Sequence, residues 1–349
     1  MASAIERLDD RKAAILRAIV ACYVRWGEPV GSKTLVERYR LGVSSATVRN
    51  EMGALEDFGY IYQPHTSAGR IPTDTGYRYY VNVWGGGVTL PEEERQRVRR
   101  FFGEPRWELE EALRNTASLL SSLTADAAIV FAPSLDHSLV RHVELISLAG
   151  PRAMLVLVTD TGRVENHVVW GPERIDEVQL GSASEMLNRF VVGVPLETAA
   201  STITDHLERF PLELRGTVSA VAKVLDEEMS IGESERVFLE GTSLIVDEQK
   251  FADLETVRQV IGALEHRRSV LVLLADAIAS SEVTVRIGSE NQVAEMQFCS
   301  VITAPYGSEG HVIGSLAVIG PTRMNYLRSM AAVDEVAANL GRMLTGLEI

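Results

Sequence analysis

The chain has 349 residues, 46% of them hydrophobic and 23% charged, which is typical of a globular protein and excludes a disordered or fibrous one. Its two cysteines lie far apart in the sequence, which argues against a disulfide framework or a cysteine zinc site and favours a reducing cytoplasm. The net charge of −14 is unevenly spread: residues 1–84 hold 11 Lys and Arg against 9 Asp and Glu, and residues 85–349 hold 23 against 39. Any contact with DNA is therefore expected in the first segment, since the acidic remainder repels phosphate.

The first segment begins with two predicted helices. Asp9 or Asp10 caps a helix of regularly spaced apolar residues that Gly27 ends. Ser32 is expected to cap a second, short helix over residues 33–39.

A third helix and a strand hairpin follow. Ser44 is expected to cap the helix, which runs over residues 45–58. One face of this helix is predicted to be buried, and it consists of Val48, Met52 and Leu55. Residues 60–62 predict a strand, and Ile71-Pro72 predicts the return strand after a polar loop.

Three glycines, Gly85–Gly87, form the clearest linker and suggest that the first segment moves freely on it. Beyond them, helical and strand patterns alternate and indicate an α+β domain with a mostly helical segment inserted. Candidates for exposed apolar residues of the insertion that contact a second subunit are Leu225, Met229, Phe238 and Phe251, and the alternative for each of them is a place in the ordinary core.

Three short helices and a hairpin are typical of a winged helix-turn-helix, whose third helix enters the major groove of DNA. Arg49 and Asn50 have the side chains that read guanine and adenine edges. The residues expected to contact phosphates or base edges are Ser32, Lys33, Thr34, Ser44, Ser45 and Thr47, and those expected in the wing are His65, Thr66 and Arg70. Two alternatives stay open: the module serves only protein contacts, or Arg49 pairs with Glu56 or Asp57.

No enzyme signature is found. GxGxxG after a strand, GxxxxGK[ST], HExxH and GxSxG are all absent, and His137 and His142 do not have helical metal-site spacing. We therefore expect no catalytic residue, metal or cofactor. The turn at Gly320–Tyr326 could cradle an anion, but we favour a structural turn whose Arg323 and Tyr326 pack one domain against another.

Five stretches together resemble the HrcA family of bacterial heat-shock repressors. They are Gly27–Leu35, Ser44–Met52, Gln63–Val81, Ile287–Asn291 and Ile319–Tyr326. The fourth stretch departs slightly, because a small or apolar residue is expected where Ser289 stands.

The resemblance implies a cytoplasmic repressor of chaperone operons that binds a long inverted repeat, the CIRCE element, as a homodimer and is modulated by the GroEL chaperonin. It also implies an α+β chain of four parts: a winged helix-turn-helix at 1–84, a GAF-like domain at 88–175 and 276–349, and an inserted dimerisation domain at 176–275. No apolar run approaches the roughly 20 residues of a membrane span, so no membrane contact is expected.

An alternative function keeps the same fold. GAF-like domains often hold ligands, so the chain could be a winged-helix repressor that senses a small molecule in a pocket between the sheet and its helices. No polar group in the sequence identifies such a pocket.

Overall fold

The computed structural model describes residues 8–66, 68–103, 109–131, 138–148, 150–160, 164–171, 176–231, 237–245, 254–266, 280, 282–308 and 311–346. They belong to two compact units. The first unit draws on Met1–Arg106, Glu111–Val130 and Phe238–Leu340, and the second on Trp107–Glu110, Phe131–Val237 and Gly341–Ile349. The chain is a mixture of helices and antiparallel sheet, in agreement with the predicted α+β class.

The segment 1–84, called the head below, contains helices followed by a two-stranded hairpin and a further helix. In chain order these are α1 (Asp10–Trp26), α2 (Ser32–Arg38), α3 (Ser45–Asp57), β1 (Ile61–Tyr62), β2 (Ile71–Pro72) and α4 (Asp74–Trp84). The two strands are antiparallel and pair Ile61 with Pro72. The first three helices and the hairpin are those that the sequence predicts.

Local sequence explains most of the helix ends in the head. The Asp9 carboxylate accepts a hydrogen bond from the Lys12 backbone N–H at 2.9 Å, and Gly27 ends α1 with a φ of 72°, in the left-handed region. The predicted cap of α2 is wrong: Gly31 precedes the helix, while Ser32 is its first residue and is only 7% exposed. A buried hydroxyl inside the first turn does not serve as the cap.

Two helices and a strand lead from the head into the second unit. They are α5 (Glu92–Gly103), α6 (Leu109–Thr124) and β3 (Ala127–Phe131). The second unit then contains β4 (Val140–Ser147), β5 (Arg152–Thr159), β6 (Val164–Trp170), α7 (Glu177–Val191), α8 (Leu196–Asp205) and α9 (Leu212–Ile231).

The three strands of the second unit form an antiparallel sheet in the order β4-β5-β6, and one face packs on α7, α8 and α9. Their shared core includes Val143, Leu155, Leu187 and Phe210. The sequence predicted that the inserted segment begins at residue 176, whereas here the strands from residue 140 onward already share its core. Alternating apolar residues reveal a strand but not the sheet that it joins.

The chain then returns to the first unit through β7 (Val237–Glu240), α10 (Leu254–Glu265), β8 (Thr284–Ile287), β9 (Cys299–Ser308), β10 (His311–Pro321) and α11 (Tyr326–Gly346). Here a five-stranded sheet has the order β7-β3-β10-β9-β8, so β3 lies between two strands that come much later in the chain. None of the described helices combines the length and apolar character needed to cross a bilayer.

The candidate dimer residues fall elsewhere than expected. Leu225 is buried in the core of the second unit and Phe238 is only 8% exposed in the first, so neither offers a free apolar surface. The side chain of Met229 and all of Phe251 lie outside the described residues. Helical spacing of apolar residues indicates that a face is buried but not what buries it.

The head packs on the sheet portion of the first unit through α4. The rings of Tyr77 and Tyr326 lie 5.3 Å apart, and the Arg323 guanidinium lies 6.0 Å from the Tyr23 ring centroid. The structural interpretation of the Gly320–Tyr326 turn is thereby confirmed. Free movement on Gly85–Gly87 does not fit these contacts, because the head is anchored before the glycines begin and Gly85 itself lies against Met330.

Candidate nucleic-acid interface

The N-terminus of α3 is capped by Ser44, as predicted. The Ser44 hydroxyl oxygen accepts a hydrogen bond from the Thr47 backbone N–H at 3.2 Å and lies 3.0 Å from the Thr47 hydroxyl. Ser44 is exposed, and Ser45 and Thr47 are half-buried. The capped end presents its remaining first-turn N–H groups and the positive end of the helix dipole, which together favour a phosphate.

The body of α3 separates a buried face from an exposed one. Val48, Met52 and Leu55 are buried in the head, in agreement with the predicted face. Arg49 and Asn50 are exposed on the helix beside the exposed Ala46. A methyl group at residue 46 lets the helix backbone come close to a partner, so the two long polar side chains can reach into a groove.

Two acidic side chains of α3, Glu51 and Glu56, are paired with residues other than Arg49. Glu51 lies 3.2 Å from the Lys12 ammonium, and Glu56 lies 2.9 Å from the Arg70 guanidinium. Hydrogen bonds to Asp9 and Glu51 raise the pKa of Lys12, so this lysine stays charged. In the part of the chain that the structure describes, no carboxylate forms an ion pair with Arg49, so the alternative in which Arg49 pairs with Glu56 or Asp57 is not found.

The start of α2 carries the other three predicted phosphate contacts. Lys33 is exposed, Thr34 is half-buried and Ser32 is buried. The ammonium of Lys33 and the backbone N–H groups of the first turn are therefore the groups that this end offers. The Ser32 side chain, in contrast, is buried.

The hairpin loop is shaped by Gln63, which the sequence analysis did not single out. Its side-chain amide donates to the backbone carbonyl oxygens of Thr66 at 3.0 Å and Ala68 at 2.8 Å. His65 and Thr66 are exposed at the tip of this loop, and Ser67 lies outside the described residues. A polar residue directly before a Pro-His-Thr-Ser run was the signal that could have identified Gln63.

Arg70 is placed at the base of the wing and is already paired. Its Nε and one terminal nitrogen, Nη2, each lie 2.9 Å from Glu56 Oε2, and the side chain is 23% exposed. Its backbone exchanges two 2.9 Å hydrogen bonds with Val30, in the turn between α1 and α2. Arg70 thus connects the hairpin to α3 and to that turn. The sequence analysis considered Glu56 only as a partner of Arg49 and missed Arg70, which follows only after the hairpin loop.

A cavity of about 520 Å³ lies within the first unit, between the head and the sheet portion. Arg25, Tyr39 and Tyr80 line it from the head, and Asp126, Arg323 and Asn325 from the other side. Burial raises the pKa of Tyr39 to about 12, so its hydroxyl is neutral. The alternative function placed a ligand between the sheet and its helices, which is not where this cavity lies.

Comparison with known proteins extends the match over the whole chain. The family model of the HrcA protein C terminal domain matches residues 110–330. The heat-inducible transcription repressor HrcA of Nocardia farcinica is 44% identical over 337 residues, covering 96% of this chain and 97% of that protein. Its counterpart from Streptomyces avermitilis is 44% identical over 337 residues, covering 97% and 99%.

A solved structure supports the fold. A crystal structure at 2.2 Å resolution, described only as that of a hypothetical protein, is 25% identical to this chain and has a TM-score of 0.65. The two chains cover 99% and 100% of each other.

Together, the fold and its relatives define a transcription repressor, which is a regulator and not an enzyme. The chain belongs to the HrcA family of heat-inducible transcription repressors. The family model begins at residue 110, so the head is included only in the matches to whole relatives.

Proposed function

We propose that the chain represses chaperone operons in the cytoplasm by binding a CIRCE-like inverted repeat as a homodimer. The head, residues 1–84, is the winged helix-turn-helix that contacts DNA. The sequence assigned residues 88–175 and 276–349 to a GAF-like domain and 176–275 to an inserted dimerisation domain. We move the strands β4, β5 and β6 to the dimerisation domain, whose core they share, and α10 to the GAF-like domain, in whose unit it lies. The observation that carries the proposal is the exposed pair Arg49 and Asn50 on a serine-capped helix whose Glu51 and Glu56 are paired with other residues.

Arg49 and Asn50 are suited to direct reading of bases. An arginine fork matches the O6 and N7 acceptors of guanine, and an asparagine amide matches the N6 and N7 groups of adenine. Because neighbouring positions on a helix diverge by about 100°, the two side chains reach adjacent base pairs. The helix of 13 residues is about 20 Å long, enough to lie along one major groove.

The other head residues are assigned to the DNA backbone and the minor groove. Ser44, Ser45 and Thr47 surround the capped end of α3, and Lys33 and Thr34 extend the same role at α2, where Ser32 contributes through its backbone. His65 and Thr66 lie at the wing tip. For Arg70, entry into a minor groove requires that a more negative potential replaces the Glu56 carboxylate.

The homodimer is supported by an apolar sheet surface in the second unit. On the face of β4-β5-β6 that points away from the helices, Ile146 pairs with Met154, and Met154 pairs with Val168. Ile146 is 44% exposed, Val168 49% and Trp170 64%. A row of exposed apolar residues on a sheet face is the kind of surface that a second copy covers.

Modulation by the GroEL chaperonin is part of the proposal and is supported by family membership. A chaperonin that prefers the binding-competent conformation shifts the repressor population toward it. When misfolded proteins occupy the chaperonin, this support is withdrawn and the operons open.

The proposal is tested by titrating the full chain on an inverted-repeat duplex and on a scrambled duplex of equal length at fixed salt. Specific reading predicts at least a roughly 1,000-fold preference for the repeat, whereas charge attraction predicts none. Arg17→Gln is a matched control, because it removes an exposed head arginine from α1 whose guanidinium lies 5.5 Å from the Trp84 ring centroid and not against α3. Equal affinity for the two duplexes contradicts the proposal.

A further inference from the structure

The helix that follows the wing, α4, is joined to the sheet portion of the first unit by its first residue. The Asp74 carboxylate oxygen Oδ2 accepts two hydrogen bonds from Ser289, one from the backbone N–H and one from the hydroxyl, both at 2.9 Å. Ser289 is the position where the sequence analysis expected a small or apolar residue. The hydroxyl at this position adds a second donor to the same carboxylate.

One turn further along α4, Arg78 makes a second connection. Its Nε donates to Glu290 Oε1 at 2.8 Å, its Nη2 donates to Glu290 Oε2, and the same Nη2 donates to the Val285 carbonyl at 2.5 Å. Glu290 Oε2 also accepts the Ile287 backbone N–H at 2.8 Å. A two-pronged arginine–carboxylate pair that is fixed at both ends holds direction as well as distance.

The segment that receives α4 is shaped for close approach. Gly288 has a φ of 52°, and a Cβ atom there would lie 2.3 Å from the Asp74 carboxylate. The buried Asn291 fixes the turn, since its side-chain amide donates to the carbonyl oxygens of Gly288, Met296 and Cys299 at 2.9–3.0 Å. Each of the residues Gly288, Ser289, Glu290 and Asn291 therefore contributes to the seat of α4.

Two further contacts at the same junction prevent rotation of the head. Tyr77 packs against Tyr326, which is itself held by hydrogen bonds to Ser300 and the Thr322 carbonyl at 2.6 Å. Arg323 lies so close to the end of α1 that a Cβ atom at Gly27 would be 1.9 Å from its guanidinium nitrogen Nη1. The sheet portion of the first unit therefore contacts the head at both α4 and α1.

We propose that Asp74 and Arg78 are positioning residues which, through Ser289 and Glu290, fix the direction of the head and thereby set the half-site spacing that the repressor accepts. This inference rests on the proposed function. In a two-fold dimer, heads held rigidly on the rest of the chain present their two α3 helices at one separation and one angle. Only half-sites at the matching spacing are then bound together.

The test uses operators in which the two half-sites are moved apart by about 5 base pairs, roughly half a helical turn of DNA. The wild-type chain is expected to lose at least about 100-fold in affinity on this insertion, which is the loss of bivalent binding. The variant Asp74→Asn with Arg78→Gln is expected to lose less than about 10-fold, since a loosened head reaches either spacing. On a duplex with a single half-site, both chains should bind equally.

Milder variants guard against misfolding. Ser289→Ala removes one donor and Glu290→Gln keeps the side-chain shape, so both should fold and should show intermediate spacing tolerance. Arg78→Lys, which keeps the charge but loses the fork, should recover part of the wild-type discrimination. Arg11→Gln, a head arginine outside the junction, should keep all of it.

A second measurement makes the inference independent of DNA. Spin labels placed at the exposed positions Glu37 and Gln297, in chains mixed with an excess of unlabelled chain, report the distance between the head and the sheet portion within one full chain. The wild type is expected to give one narrow distance distribution, and Asp74→Asn with Arg78→Gln a broad one. A narrow distribution in the variant, or a variant that keeps the wild-type spacing preference, overturns the inference. A wild type that binds repeat and scrambled duplexes alike overturns the proposed function and leaves the label result to decide the junction.

Discussion

The helices α3 and α4 of the head differ in whether their polar side chains already have hydrogen-bond or ion-pair partners. On α3, Arg49 and Asn50 are exposed, and within the described residues neither has a hydrogen-bond or ion-pair partner. On α4, Asp74 Oδ2 accepts hydrogen bonds from Ser289, and Arg78 donates from Nε and Nη2 to Glu290 and Val285. Both helices belong to the same small module, so the contrast arises within one fold.

The polar side chains of α3 are suited to contact DNA, whereas those of α4 attach the head to the rest of the first unit. An unpaired arginine keeps its N–H donors for a ligand that binds later. An arginine that already pairs with a carboxylate instead stabilises one fixed arrangement of the chain. Tyr79 continues the second pattern, packing edge-on against Tyr60 at 5.4 Å between ring centroids. Substitutions on the α4 side should therefore reduce folding stability, and those on the α3 side should reduce DNA affinity.

The largest effect is expected for Gly76→Ala, on the α4 side. A Cβ atom at residue 76 would lie 2.1 Å from the Tyr60 carbonyl oxygen, and a backbone atom cannot swing away. Alanine gains about 1 kcal/mol in helix propensity, but the clash outweighs it, for a net loss of about 3 kcal/mol in the free energy of unfolding. Urea denaturation of the full chain measures this loss.

The matched control is Gly86→Ala. Nothing lies within 4 Å of a Cβ atom at that glycine, so its stability should stay within about 0.5 kcal/mol of the wild type. If both alanine variants unfold at the same denaturant concentration, the close packing of α4 on the hairpin is wrong.

On the α3 side, Arg49→Ala should weaken binding to the inverted repeat by about 1–3 kcal/mol and relax discrimination at one base pair. Its thermal unfolding should be unchanged, because the side chain is exposed and, among the described residues, unpaired. A panel of single-base operator variants identifies the position that loses discrimination. Should the variant bind the repeat as tightly as the wild type, α3 is not the recognition helix.

The same contrast explains how much the sequence could predict. The cap of α3 by Ser44 and the end of α1 at Gly27 depend on near neighbours in the sequence, and both were predictable. The pairing of Arg70 with Glu56 depends on a fold that brings the end of the hairpin loop back to α3, and no spacing rule indicates it.

The sheet that a strand joins is also hard to predict, because it depends on residues far away in the sequence. The sequence indicates strands beyond the three glycines, but the assignment of Val140–Ser147 and Arg152–Thr159 to the second unit depends on helices that begin only after β6. Of the candidate interface, the exposed side chains of α3 were predictable, and the partners that fix the wing were not.

A smaller effect is expected for Lys33→Ala, at the start of α2. Its ammonium is exposed and can contact only the phosphate backbone, so binding should weaken by a similar factor on repeat and scrambled duplexes. The slope of log affinity against log salt should fall by about one unit. Titrations at several salt concentrations measure it, and a change confined to the repeat would show that Lys33 reads sequence.

A different kind of effect is expected at the two cysteines, which are buried in the first unit. Burial raises the pKa of the Cys299 thiol from 9.0 to about 12, and it also raises that of Cys22. Since the neutral thiol is favoured only in the folded chain, its contribution to stability is complete below pH 9 and is lost as the pH rises toward 12.

Iodoacetamide labelling followed by mass spectrometry tests this. At pH 8 the folded chain should label at Cys299 about 1,000-fold more slowly than the unfolded chain, because only the thiolate reacts and a shift of about three pKa units removes that factor of thiolate. The rate should still rise about tenfold per pH unit above pH 9. A rate that levels off near pH 9 would show that the Cys299 thiol is exposed to water. The sheet surface beside the Asn291 turn, against which α4 packs, would then be exposed as well.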